Sequence, residues 1–187
     1  MKRYYQILIA VGVVWVGMLG SAVIAQEEER VFPTDKQGFI KALGLGLRTK
    51  GLTGIVNDYD VENYDDLKQF PIAGVSIHFA VNSTYIPEGS RNVLKELAQA
   101  LREFPKTALV IAGHTDDSGT DEYNLALSQS RSLAVWGFLV EDEQIPADRL
   151  SFTGFGEFHP FADNSTEEGR ALNRRVEFIK IPASSSN

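Results

Sequence analysis

The sequence contains no cysteine, and this absence removes several kinds of protein chemistry. Disulfide bonds, zinc sites built on thiolates and a thiol nucleophile all require cysteine side chains. Attachment of a lipid through an N-terminal cysteine is excluded for the same reason. A functional site in this chain has to be built from other side chains.

Positive charge is also scarce. The 187 residues include 18 lysines and arginines against 25 aspartates and glutamates, which gives a formal net charge of −7. Nucleic acid is bound through basic patches, so this composition argues against DNA or RNA as a partner. Hydrophobic residues make up 43% of the chain and charged residues 23%, which is ordinary for a globular protein with one core of moderate size.

Histidine is rare, and its positions do not suggest a metal site. The three histidines are His78, His114 and His159, and they form no i,i+4 pair and no cluster flanked by carboxylates. A hydrolase with Ser118 or Ser128 as nucleophile and His114 as base is conceivable, but the chain has no Gly-x-Ser-x-Gly turn. We therefore predict no cofactor and no enzymatic activity, with a hydrolase as the enzymatic alternative.

The N-terminal residues have the anatomy of an export signal. A short positive start containing Lys2 and Arg3 precedes an uncharged apolar stretch over residues 7–24, and Ala25 follows in a position suited to signal peptidase. We predict a signal peptide over residues 1–25, with an uncleaved membrane anchor as the alternative. Either interpretation places the rest of the chain outside the cytoplasmic membrane.

Three further segments follow from composition. Residues 26–71 contain scattered glycines and are predicted to be a lead-in or linker segment that ends near Pro71. Within it, the acidic run over residues 57–66 is interpreted as a solvated connector; a calcium loop and a partner-binding strip are the alternatives. Residues 72–182 form the predicted main domain, and residues 183–187 a polar tail.

Hydrophobic periodicity in the main domain alternates between strand and helix. The predicted strands cover residues 75–81, 108–112, 150–155 and 175–181, and the predicted helices cover residues 87–104 and 124–140, with a short capped helix starting near residue 164. The order is β-α-β-α-β-(short α)-β. This predicts an α/β (α+β) fold with a mixed sheet and helices packed against it, in which the first strands run parallel.

The stretch from Ala108 to Arg131 contains two charged residues that suit a binding site. The apolar strand that starts at Ala108 ends in a Gly-His-Thr-Asp turn, which places Asp116 at the carboxyl edge of the sheet, where ligands of such sheets bind. Arg131 lies in the following helix, fifteen positions later. A carboxylate and a planar guanidinium together suit a small zwitterion, with its ammonium on the first and its carboxylate on the second.

Five short motifs resemble one family in their content and order. They are Phe79-Ala-Val-Asn-Ser83, Gly113-His-Thr-Asp116, Tyr123-Asn-Leu-Ala-Leu-Ser128 with Arg131, Gly154-Phe-Gly-Glu157, and Gly169-Arg-Ala-Leu-Asn-Arg-Arg-Val-Glu177. Together they resemble the OmpA-like C-terminal domain, which also occurs in peptidoglycan-associated lipoproteins and flagellar stator proteins. The resemblance covers about residues 72–182 and implies an OmpA-like fold.

The resemblance also implies a function. Members of this family bind peptidoglycan non-covalently in the periplasm, through the diaminopimelate residue of the stem peptide. The implied ligand-binding residues divide into the charged pair, backbone and amide contacts, and an arginine pair near the last strand. They are Asp116 and Arg131; Asn82, Thr115, Asn124 and Leu125; and Arg174 and Arg175. The expected location is the periplasm, in association with the cell wall or the outer membrane.

Two alternatives to this interpretation remain open. Asp116 and Arg131 could form a structural salt bridge with each other, since a strand-end acid near a helix arginine is common. The domain could also serve protein interaction, with an envelope protein partner bound through residues 26–71, above all through the acidic run over residues 57–66.

Overall fold

The computed structural model describes residues 32–45, 63–75, 77, 79 and 83–181. The predicted signal peptide, most of the acidic run, Asn82 and the polar tail lie outside these residues. The described chain contains four strands: β1 (Ile72–Val75), β2 (Ala108–Gly113), β3 (Leu150–Gly154) and β4 (Val176–Ile181). Five α-helices accompany them: α1 (Lys36–Ala42), α2 (Tyr64–Leu67), α3 (Glu88–Glu103), α4 (Asp121–Gly137) and α5 (Glu167–Asn173).

The four strands form one mixed sheet in the order β1-β4-β2-β3. β2 and β3 are parallel, from Leu109 opposite Leu150 to Gly113 opposite Gly154. β4 is antiparallel to both of its neighbours, β1 and β2. The predicted α/β class and mixed sheet are confirmed, and β1, β2 and β3 all run in the same direction.

Side chains alternate between the two faces of β4, and each face meets a different group of residues. Val176 and Phe178 face the larger core cluster, which contains buried leucines of α3 such as Leu94 and Leu97. Ile179 faces a smaller cluster that includes Tyr64 of α2. The sheet is therefore covered on both faces, by α3 and α4 on one and by α2 on the other.

The segment predicted as a lead-in contributes two helices to this packing. Asp35 caps the N-terminus of α1, where its carboxylate accepts a hydrogen bond from Gly38 N at 2.8 Å. Phe39 in α1 and Leu67 in α2 are fully buried. Tyr64 is a buried residue rather than part of a solvated connector.

The first strand begins and ends earlier than the sequence predicts. The expected strand covers residues 75–81, but β1 ends at Val75, opposite Val176. Val176 is the first residue of β4, so the partner strand ends there and the ladder cannot continue. Ile77 and Phe79 nevertheless pack against the same core cluster as Val75, as their alternation predicts.

Helix α4 lies in direct contact with the ends of β2 and β3. A Cβ atom added to Gly113 would lie 2.3 Å from Ser128 O, and one added to Gly154 would lie 2.3 Å from Gln129 N. Glycine is therefore required at both positions for this close approach. The buried face of α4 is largely polar and includes Asn124, Ser128 and Arg131.

Candidate functional site at the carboxyl edge of β2

Asp116 lies three residues beyond the end of β2 and is 8% exposed. Its Oδ1 accepts a hydrogen bond from Ser118 N at 3.0 Å, and its Oδ2 accepts one from Arg174 Nη1 at 2.7 Å. Burial acts to raise the pKa of Asp116, but the hydrogen bonds from Arg174 and Ser118 outweigh it, and the pKa lies below its usual value. The carboxylate is therefore ionised at neutral pH.

Arg131 approaches the same edge from α4. It is 7% exposed, its guanidinium carbon lies 4.8 Å from the centre of the Phe79 ring, and its Nε lies 3.5 Å from Ser83 O. Within the described ranges it forms no ion pair. Burial lowers the pKa of Arg131, whereas the nearby Tyr123 and Asp116 act to raise it. Arg131 is thus a buried cation with weak polar contacts, close enough to Asp116 to be affected by its charge.

The alternative prediction paired Asp116 with Arg131 in a structural salt bridge, and this pairing is wrong. Among the described residues, Asp116 forms its ion pair with Arg174, at 2.7 Å. Arg174 also donates to Glu167 Oε1 at 2.8 Å. Its side chain is 35% exposed, between an Asp116 side chain that is 11% exposed and a Glu167 side chain that is 64% exposed. Arg174 therefore connects the buried acid to an exposed one.

Asn124 closes the loop that separates Asp116 from α4. Thr120 caps this helix, its hydroxyl accepting from Tyr123 N at 3.3 Å, and Asn124 lies one turn further on. Asn124 Nδ2 donates to Asp116 O at 3.3 Å and to Glu157 Oε2 at 2.5 Å. Asn124 is 1% exposed, so its buried side-chain amide links the loop at Asp116 to Glu157.

Thr115 and Leu125 lie beside this loop in different surroundings. Thr115 is 3% exposed, and its backbone N donates to Gly156 O at 2.9 Å. Its Oγ1 is buried and has no hydrogen-bond partner among the described residues. Leu125 is 42% exposed and lines a shallow cleft of about 450 Å³ between α4 and the end of β3, which also includes Phe158 and His159.

Arg175 does not join the other predicted site residues. It is 2% exposed, and its Nε donates to Glu177 Oε1 at 2.8 Å. Glu177 Oε2 accepts a hydrogen bond from the hydroxyl of Tyr64 at 2.8 Å. His114 Nε2 lies 3.4 Å from the same oxygen but is not aligned for a hydrogen bond. These four residues, Arg175, Glu177, Tyr64 and His114, form a buried polar cluster beneath the site.

The structure thus brings together Asp116, Arg131, Asn124 and Arg174, with the backbone of Thr115 nearby. Asn82 lies outside the described residues. Sequence reasoning missed two acids of this region, Glu157 and Glu167. Glu157 belongs to one of the family motifs, and Glu167 follows the cap Thr166. The sequence therefore marks both residues, but it does not show which side chains they contact.

In the part of the chain that the structure describes, no group of three or more His, Asp or Glu side chains is arranged to hold a metal ion. No helix in the same residues has the length and apolar character needed to cross a bilayer.

Comparison with known proteins identifies the family of this chain. The family model described as the OmpA family matches residues 78–174, which is more than half of the chain. The chain belongs to the OmpA family. Outer membrane porin F of Pseudomonas aeruginosa is 41% identical over 103 residues, which make up 55% of this chain and 29% of the porin. The chain spans less than half the length of the first curated relatives that it matches.

Solved structures with the same fold include proteins named for the cell wall. The peptidoglycan-associated lipoprotein of Burkholderia pseudomallei is 30% identical with a TM-score of 0.52, over 58% of this chain and 89% of that one. The cell wall anchor of the T6SS from Pseudomonas aeruginosa is 31% identical with a TM-score of 0.52, over 60% and 81% of the two chains. The OmpA-like fold expected from the motifs is confirmed.

Proposed function

We propose that this chain binds peptidoglycan non-covalently through the diaminopimelate residue of the stem peptide and so anchors itself, or a partner, to the cell wall. The relatives support peptidoglycan as the ligand, since they include proteins named for association with peptidoglycan or for anchoring to the cell wall. The observation that carries the proposal is Arg131, a buried guanidinium without a carboxylate partner among the described residues, at the edge that also holds Asp116.

The chemistry of the free end of diaminopimelate matches this pair. One carbon bears both an ammonium and a carboxylate. Asp116 is the acceptor for the ammonium; its present donors are Ser118 N on Oδ1 and the partly exposed Arg174 on Oδ2. Arg131 offers a fork for the carboxylate, and the ligand would supply the anion that this buried cation lacks.

Affinity at a single site is expected to be modest. Each hydrogen bond to a charged group contributes about 1.5–3 kcal/mol. Two such contacts with a few amide contacts correspond to a dissociation constant on the order of micromolar, after the costs of ordering. Several copies bound along one polymer can still hold a protein in place.

Co-sedimentation with purified sacculi tests the proposal. The protein without residues 1–25 should pellet with diaminopimelate-type sacculi. Asp116→Ala and Arg131→Ala should each weaken binding about 10- to 100-fold, the equivalent of one charged contact. Asp148→Ala and Arg102→Ala are matched controls, because they remove the same charges near the opposite end of the strands, and they should pellet like the unaltered protein.

Two results would contradict the proposal. If both site variants pellet normally while retaining their fold by circular dichroism, Asp116 and Arg131 do not form the binding site. If soluble muropeptides appear during incubation, the domain cleaves the wall and the hydrolase alternative replaces the binding function.

The location and partners follow from the same proposal. A wall-binding domain acts where peptidoglycan is, in the periplasm, in association with the cell wall or the outer membrane. An envelope protein partner bound through residues 26–71 stays a prediction, and charge reversal of the acidic run over residues 57–66 tests it. Loss of a co-purifying envelope protein on reversal would support such a partner.

A further inference from the structure

The acid of the proposed site is already neutralised by a residue of the chain itself. Arg174 Nη1 lies 2.7 Å from Asp116 Oδ2, and this is the ion pair that Asp116 makes among the described residues. The pair is shielded on the side of Asp116, whose side chain is 11% exposed. An ammonium group that enters the site therefore meets a carboxylate whose charge is compensated.

The cations of the site are not compensated to the same degree. Arg131 is buried and forms no ion pair within the described ranges, and Arg174 shares its charge between Asp116 and Glu167. Glu167 is 64% exposed at its side chain, so water screens most of its charge. The charges of Asp116, Arg131 and Arg174 sum to one positive charge; Glu167, which contacts Arg174, and Glu157, which contacts Asn124, are not counted in this sum.

This charge balance determines which ligand group is favoured. An ammonium alone gains little from a paired Asp116 and is repelled by two guanidinium groups. A carboxylate is attracted by both. From this arrangement we infer that Arg174 is a displaceable counter-ion for Asp116 and makes the site select ligands that carry a carboxylate over ligands that carry only an amine.

Glu167 gives this counter-ion a second position. Arg174 donates through Nη1 to Asp116 and through Nη2 to Glu167, with both distances near those of a strong charged hydrogen bond, 2.7 and 2.8 Å. When a ligand ammonium takes the place of Nη1, the guanidinium keeps its contact with Glu167 at the exposed rim. Glu167 is thus a positioning residue, and Arg174 determines specificity.

The inference rests on the proposed function, and three synthetic stem tripeptides test it. They differ only at the free end of the third residue: diaminopimelate carries the zwitterion, 2-aminopimelate the carboxylate alone, and lysine the ammonium alone. Calorimetric titration of the unaltered protein should give the tightest binding for diaminopimelate, followed by 2-aminopimelate, with lysine weakest.

Arg174→Ala should reduce this selectivity. Without its counter-ion, Asp116 attracts the lysine peptide more strongly, and the 2-aminopimelate peptide loses one attractive cation. The ratio of their two dissociation constants should change about 2- to 5-fold in favour of lysine, the equivalent of one partly exposed ion pair. Arg174→Lys keeps the charge and should restore the ratio, which a purely structural role for the arginine would not explain.

Glu167→Gln tests the second position with Arg174 in place. Arg174 then has no exposed acid to move to, so the diaminopimelate peptide should bind about two- to fivefold more weakly while the order of the three peptides is retained. If Arg174→Ala does not fold, Arg174→Gln provides the same charge removal with a longer side chain.

The outcomes separate this inference from the function on which it rests. If the unaltered protein binds neither sacculi nor the diaminopimelate peptide, both fail. If it binds the peptide in an Asp116- and Arg131-dependent manner but Arg174→Ala leaves the ratio unchanged, or weakens all three peptides equally, only the counter-ion role is overturned.

Discussion

Arg174 and Arg175 are consecutive residues with the same side chain, yet they lie in opposite environments. Arg174 is at the rim of the site, 35% exposed at its side chain, between Asp116 and Glu167. Arg175 is buried on the other side of the sheet, where Glu177 holds it with a side chain that is also fully buried. The difference arises because Arg174 ends α5 as its C-cap, whereas Arg175 directly precedes β4 and lies on the same face as Glu177.

The two ion pairs should consequently have different energetic roles. A buried ion pair is costly to form but more costly to break, because the remaining buried charge loses the opposite charge that offset its burial. A partly exposed pair is screened by water and contributes little to folding, so its residues can serve binding. We therefore expect the Arg175 cluster to set stability and the Arg174 pair to set specificity.

The largest expected effect is on the buried side. Arg175→Ala leaves Glu177 charged and buried, although Tyr64 still donates to it at 2.8 Å. The free energy of unfolding should fall by about 3–5 kcal/mol, measured by urea denaturation. A loss below about 1 kcal/mol would mean that the cluster adapts to the missing charge. Arg174 and Arg175 would then contribute similarly to the free energy of unfolding.

The next effect concerns pH. Burial lowers the pKa of His114 from 6.5 to about 4, against the opposing influence of Glu177. Because the unfolded chain binds this proton below pH 6.5 and the folded chain only near pH 4, stability is fully present above pH 6.5 and is lost as the pH falls towards 4. The expected loss is about 3 kcal/mol.

Substitution of His114 isolates this contribution. His114→Leu should flatten the dependence of stability on pH between 6.5 and 4. His159→Gln should flatten the dependence in the same direction, since burial also lowers the pKa of the more exposed His159, so the two substitutions are measured separately. Asp116 contributes in a lower range, because its pKa is lowered from 3.8. An unchanged slope in His114→Leu would show that other groups cause the pH dependence.

The smallest expected effect is that of Arg174 on stability. Arg174→Ala should change the free energy of unfolding by no more than about 1 kcal/mol, because both of its carboxylate partners keep access to water or to other donors. The measurement is the same urea denaturation as for Arg175→Ala. A loss as large as that of Arg175→Ala would place both arginines in the stabilising role.

Much of this arrangement could be predicted from local pattern. Alternation and helical spacing located β2, β3, α3 and α4, and the position of Asp116 at the edge of β2 followed from the end of the strand. The alternation of side chains along β4 could also have placed Arg175 on the buried face with Glu177. Arg175 and Glu177 share a face, opposite to that of Val176 and Phe178. Their spacing of two residues could therefore have predicted the buried ion pair.

Other contacts depend on residues too distant in sequence for a local pattern to connect. Tyr64 lies in an acidic run typical of a solvated connector, but its hydroxyl binds Glu177, which is 113 positions away. The pairing of Asp116 with Arg174 spans 58 positions. Motif resemblance named both Arg174 and Arg175 as ligand contacts, because a motif records residue types and not the direction of a side chain.

The position of β4 has a consequence for how the chain acquires its structure. β4 is the last of the described strands, yet it lies in the interior of the sheet between β1 and β2. Until it is available, β1 has no neighbour and β2 has one unpaired side. During synthesis from the N-terminus, the sheet can close only after residue 181 has emerged, so earlier intermediates expose the edges of β1 and β2 that later pair with β4, and such edges favour aggregation.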